Sequence, residues 1–122
     1  MVAQLNDVVN QLNFDSNVRV VILRSLVPGV FCAGADLKER VTLTPTEVSQ
    51  FVTSLRGLLK NIEQLPMPVI GAIDGVALGG GLEMALACDI RTTAAEAKLG
   101  LVETKLAIIP GAGIYDSKFN IF

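Results

Sequence analysis

Two charges, Asp74 and Glu83, stand in the whole stretch from Pro68 to Cys88. Everything else there is apolar, small or a turn residue. The glycines and the two carboxylates argue against a bilayer span. Such a stretch has to fold as core. Val69 to Ile73 reads as a buried strand and Asp74-Gly75 as a turn. Gly79-Gly80-Gly81 reads as a tight loop, and the residues that follow as a helix apolar on nearly every side. The bulk composition agrees, since 51% of the 122 residues are hydrophobic and 18% are charged. That is apolar for a domain this small, where surface dominates over interior. The reading is a core piece of something larger.

The remaining segments supply elements that pack around this core. Val2, Leu5, Val9 and Leu12 repeat at helical spacing, which predicts an amphipathic helix over residues 3–13. Asp15-Ser16-Asn17 is a turn cluster. Val20-Val21-Ile22-Leu23 is a β-branched run that predicts a strand buried on both faces, with a loop at Pro28-Gly29. Thr44-Pro45-Thr46-Glu47 combines an N-cap, a proline at the first helical position and a glutamate three residues after the cap. An apolar stripe from Val48 through Leu55, Leu58, Leu59 and Ile62 to Leu65 follows, and Pro66 and Pro68 stop the helix. Ile90 to Thr93 and Lys98 to Leu101 are weaker strand candidates. This alternation of helix and strand predicts an α/β arrangement with parallel strands. Val20–Leu23 and Val69–Ile73 are expected side by side in one sheet. Each leads to a small-residue loop, Cys32-Ala33-Gly34-Ala35 in one case and Gly79-Gly80-Gly81 in the other.

Charge and composition remove several function classes. Net charge is −2, so no global basic field draws nucleic acid. There is no histidine, which excludes a Ser-His-Asp or Cys-His catalyst within this chain and argues against a common zinc site. The two cysteines, Cys32 and Cys88, read as free thiols in a reducing compartment. Neither a secretory signal nor a transit peptide is visible at the start.

Glu83 is the residue that calls for chemistry. An ionised carboxylate on an apolar helix is costly unless something compensates it. The nearby helix start, with its free N–H groups and positive dipole end, is one compensation. The plain alternative is a buried glutamate satisfied by local N–H groups. The two small-residue loops leave backbone N–H groups open to close approach, and one from each could converge on a single oxygen as an oxyanion hole. Packing alone explains either loop equally well. A second carboxylate, Glu103, follows in Gly100-Leu101-Val102-Glu103-Thr104-Lys105. Alone it would be a surface residue beside Lys105. Two carboxylates flanking a reaction centre can divide acid and base work.

Three ordered segments carry a resemblance. Gly29-Val30-Phe31-Cys32-Ala33-Gly34-Ala35-Asp36-Leu37-Lys38-Glu39-Arg40 resembles the first oxyanion segment of the enoyl-CoA hydratase/isomerase (crotonase) family. Asp74 to Glu83 resembles its second, and Gly100 to Glu103 through Ile108-Ile109-Pro110-Gly111-Ala112-Gly113 its second-carboxylate segment. The likeness covers nearly everything from residue 2 to residue 113. It implies a crotonase-like ββα superhelix, here partial. It also implies a hydro-lyase that adds water across the α,β double bond of an acyl-CoA thioester, methylglutaconyl-CoA or a short-chain enoyl-CoA. By this resemblance, the N–H groups of Ala35 and Gly80 hold the thioester oxygen. Glu83 activates a water and Glu103 handles the α-proton. Ala33 and the segment Ala35, Asp36, Leu37, Lys38 line the coenzyme A site, with Lys38 as a charged contact. No metal or redox cofactor is implied, because coenzyme A is part of the substrate. A homo-oligomer, trimer or hexamer, in the mitochondrial matrix and without a membrane span is implied as well.

Departures from the family pattern set further expectations. Residues 1–113 read as a partial catalytic core lacking the family's N-terminal strands and C-terminal helices. Residues 114–122 read as a tail of different character. Some family members bind RNA, but Val2 to Asn13 has no Lys or Arg for phosphate contacts, so RNA binding is not expected here. An isomerase is the enzymatic alternative, and the presence of both Glu83 and Glu103 favours hydration. The alternative of another class is an inactive fragment that only binds or props full-length subunits.

Overall fold

A computed structural model describes residues 1–34 and 43–102. The capping signals place its helices. α1 spans Val2–Leu12. α2 spans Pro45–Glu63 and starts with a full capping box. The Thr44 side chain accepts from the Glu47 N–H, and Glu47 accepts from the Thr44 N–H at 2.7 Å. α3 is short, Gly80–Leu86, and follows Gly79, whose φ of 53° only glycine adopts easily.

The strands are β1 (Val21–Arg24), β2 (Val30–Cys32), β3 (Val69–Ile73), β4 (Val76–Leu78), β5 (Ile90–Thr93) and β6 (Leu99–Gly100). They form two parallel three-stranded sheets. Sheet A has the order β1-β3-β5 and sheet B the order β2-β4-β6. Successive strands therefore alternate between sheets, and α2 and α3 each follow one such pair. This is a ββα winding, as expected, and β1 and β3 are parallel neighbours with Val21 opposite Val69.

Three strand expectations need correction. Val30–Cys32 and Val76–Leu78 are strands, where no strand was expected and Cys32 was placed in a loop. Each is only three residues long and apolar throughout, so neither shows the length or alternation that marks a strand in sequence. β1 is also not buried on both faces. Its Val21 and Leu23 side packs toward the helices, while Ile22 is 60% exposed. Ile22, Ile70 and Ile90 share one row across sheet A, and Ile90 is exposed too. α1 and α2 cover one face of the sheet only.

The core has two parts, and α3 contributes to both. Leu58, Leu59 and Ile62 of α2, Val9 of α1 and Val69 of β3 surround Met84, Ala87 and Cys88. Phe31, Ile73 and Ala77 surround Ala85 between the sheets. The helix that bears Glu83 is thus wedged among apolar groups, as the charge-free sequence around it predicts. Among the described residues, no helix is long and apolar enough to cross a membrane.

Candidate active site

The three segments that drew attention in sequence leave from one edge of one sheet. β2 pairs in parallel with β4, and β4 with β6, so all three end on the same side. After β2 come Ala33 and Gly34. After β4 come Gly79 and α3. After β6 come Leu101 and Val102. In open parallel sheets the carboxyl edge is where ligands bind, because loops there spread from a rigid base.

The first two loops touch. Gly34 lies so close to the end of β4 that a Cβ on it would sit 2.9 Å from the Leu78 carbonyl oxygen and 3.7 Å from the Gly80 nitrogen. Its φ of 90° is also one that a side chain disfavours. Any bulkier residue at Gly34 would push the loops apart. The third strand is joined by the Gly79 N–H, which donates to the Gly100 carbonyl at 2.9 Å.

Glu83 occupies the first turn of α3 and is 4% exposed, the only buried charged residue among those described. Its backbone N–H donates to the Gly79 carbonyl at 3.0 Å, closing that turn. The side chain turns back toward the helix start, as long helical side chains do. A Cβ on Gly80 would lie 4.0 Å from Glu83 Oε2 and 3.5 Å from Leu55 Cδ2 of α2. The carboxylate, the Gly80 backbone and an apolar wall therefore meet in one place. As the first residue of α3, Gly80 has an N–H with no carbonyl to bond within the helix. The helix start packs closely against β2, since a Cβ on Gly81 would collide with the Cys32 carbonyl.

The candidate residues divide into two groups. Ala33, Gly80 and Glu83 are described, with Ala33 exposed and Gly80 half-buried. Ala35, Asp36, Leu37, Lys38 and Glu103 lie outside the described residues. What the structure brings together is the Gly34 backbone, the Gly80 backbone and the Glu83 carboxylate. Leu55 was legible in sequence only as one member of an apolar stripe. Its place over Gly80 follows from the packing of α2, for which the sequence gives no local signal.

Comparison with known proteins identifies the relatives of this chain. The family model for enoyl-CoA hydratase/isomerase matches residues 1–121. Human "Methylglutaconyl-CoA hydratase, mitochondrial" is 58% identical over 113 residues, covering 93% of this chain and 33% of that protein. "Probable enoyl-CoA hydratase 2, mitochondrial" of Arabidopsis thaliana is also 58% identical, covering 93% of this chain and 38% of that protein. The crystal structure of an enoyl-CoA hydratase from Bacillus anthracis superposes with a TM-score of 0.88 at 52% identity. It covers 92% of this chain and 43% of that one. The chain thus spans between a third and a half of the length of these relatives. With the model match over most of its length and the ββα winding of its two sheets, the chain belongs to the enoyl-CoA hydratase/isomerase family.

Proposed function

We propose that the carboxyl edge of sheet B is the core of a hydratase site that adds water across the α,β double bond of an acyl-CoA thioester. The observation that carries this is the convergence of the Gly34 and Gly80 backbones beside the buried Glu83 carboxylate. In this reading the Gly80 N–H and the Ala35 N–H, one residue beyond Gly34, hold the thioester oxygen. Conjugate addition moves negative charge onto that oxygen, and two fixed N–H dipoles stabilise the enolate more than they stabilise the substrate. Glu83 removes a proton from water as its oxygen bonds to the β-carbon, and Glu103 supplies the proton that ends on the α-carbon. Ala33, Asp36, Leu37 and Lys38 line the coenzyme A side, where the Lys38 ammonium suits a phosphate. Water and thioester balance the reaction, so the proposal calls for no cofactor.

The named relatives suggest the substrate. We place methylglutaconyl-CoA first and short-chain enoyl-CoA second, and, because these relatives are named as mitochondrial, a mitochondrial location, with the matrix as the proposed compartment. Assembly into a trimer or hexamer belongs to the same proposal. Isomerisation of the double bond needs only a proton carried between carbons, whereas hydration gives both Glu83 and Glu103 a task. The test is to follow loss of the enoyl absorbance with crotonyl-CoA and methylglutaconyl-CoA, for the parent chain, Glu83→Gln and Glu103→Gln. Turnover by the parent, with a loss of about 10²- to 10⁴-fold in each variant, is expected. Equal rates in parent and Glu83→Gln would remove Glu83 from the mechanism.

A further inference from the structure

α3 has only two turns, and both Gly80 and Glu83 lie in the first. The start of the helix packs closely on β2, through Gly81 and Cys32. Its other end is held differently. Arg91 in β5 is paired in register with Gly71 of β3. From there its guanidinium returns to the helix exit. Nη1 donates to the Cys88 carbonyl at 2.6 Å and to the Leu86 carbonyl at 3.4 Å. These are carbonyls for which the helix itself offers no donor, at the end where a cation is electrostatically favoured. Asp89, two residues before Arg91, ties the same corner to sheet A. Its Oδ2 accepts the Val69 N–H at 2.8 Å. Cys88 Sγ fills the space over Gly71, 3.2 Å from where a side chain would begin.

We propose that Arg91, braced by Asp89, is a positioning residue: it clamps the carboxyl end of α3 to sheet A and so sets where Gly80 and Glu83 stand at the edge of sheet B. This rests on the function proposed above. The leverage is large because the helix is short. At about 1.5 Å per residue it is roughly 9 Å long, so a swing of about 6° at the exit moves the start by about 1 Å. A misplacement of about 1 Å can lower a rate about a hundredfold.

The experiment uses the full 122-residue chain in parent, Arg91→Met, Arg91→Lys and Glu83→Gln forms. Amide hydrogen exchange is measured residue by residue, together with kcat and KM for hydration. The clamp requires that Arg91→Met speed exchange in Glu83 to Ala87 by at least about tenfold while β1 and β3 keep their protection. It also requires kcat to fall about ten- to a hundredfold with KM little changed, and Arg91→Lys to recover most of both. If Arg91→Met does not fold, Arg91→Gln, which keeps neutral N–H donors, replaces it. Unchanged exchange in α3, or loosening spread evenly over all elements, overturns the clamp. So does an unchanged kcat in a chain that Glu83→Gln silences. A parent chain without hydration counts against the proposed function, and the exchange result still decides the role of Arg91.

Discussion

At the scale of single residues, burial separates two acids that differ little in composition terms. Glu83 is buried beside Gly80, which Leu55 also approaches. Its expected importance is catalytic, and a charge-neutral, nearly isosteric Glu83→Gln should leave thioester binding largely intact while turnover collapses. Cys88 is the other enclosed acid. Its thiol donates to the Met84 carbonyl at 3.5 Å, and burial raises its pKa from 9.0 to about 11. Arg91 works against that rise and Asp89 with it. The thiol is the neutral form, so the folded state holds its proton more tightly than the unfolded chain does. Its contribution to stability is complete below pH 9 and is lost as pH rises through about 11. Denaturant midpoints should therefore fall across that interval, and Cys88→Ala should flatten the fall. Alkylation at pH 8 should modify half-buried Cys32 well before Cys88, because only the thiolate attacks. Equal rates at the two thiols would mean that the exit of α3 is far more open than its packing indicates. The buried place of Glu83 was legible in sequence from the absence of other charge around it. The approach of the two small-residue loops was legible too, from their composition, but the pairing of β2 with β4 that brings Gly34 to Gly80 was not.

At the scale of elements, legibility followed length and punctuation. α2 was readable from Thr44, Pro45 and Glu47 at one end and Pro66 at the other, and its capping box is formed. Hydrogen bonds from Thr44 to the Glu47 carboxylate hold its pKa below 4.5. A depressed folded-state pKa means stability that is present above pH 4.5 and lost as pH falls through the lower folded value. Thr44→Ala should cost about 1 kcal/mol at neutral pH, in line with other N-cap losses. Glu47→Gln should be destabilising at neutral pH and indistinguishable from the parent in strong acid. A Glu47→Gln deficit that persists in acid would mean that the charge is not what the cap uses. β2, β4 and β6 were harder, with three, three and two residues. Strands that short have no period to read, and only their pairing in sheet B gives them identity. The irony of the site is that these barely legible strands are the ones that bring its loops together.

At the scale of the whole molecule, the two sheets have separate tasks. Sheet A anchors helices on one face, through Val21, Leu23 and Val69 against Leu58, Leu59 and Ile62. Sheet B delivers loops. α3 links them, with Met84 in one core cluster and Ala85 in the other. The parallel α/β class and the pairing of β1 with β3 were legible, because β-branched runs and helix caps alternate along the chain. The split into two sheets was not, since nothing local tells a strand which neighbour it will join. Nor was the open face of sheet A, where Ile22 and Ile90 remain exposed. The central claim is that ligand chemistry belongs to the carboxyl edge of sheet B. The most direct measurement is an amide chemical-shift map of the chain titrated with a β-keto acyl-CoA, whose enolate carries the charge the site is proposed to stabilise. The account expects the largest shifts at Gly34, Gly80, Gly81 and Glu83, with Ile22 and Ile90 unmoved. Saturable shifts centred on sheet A, with Gly34 and Gly80 silent, would contradict it.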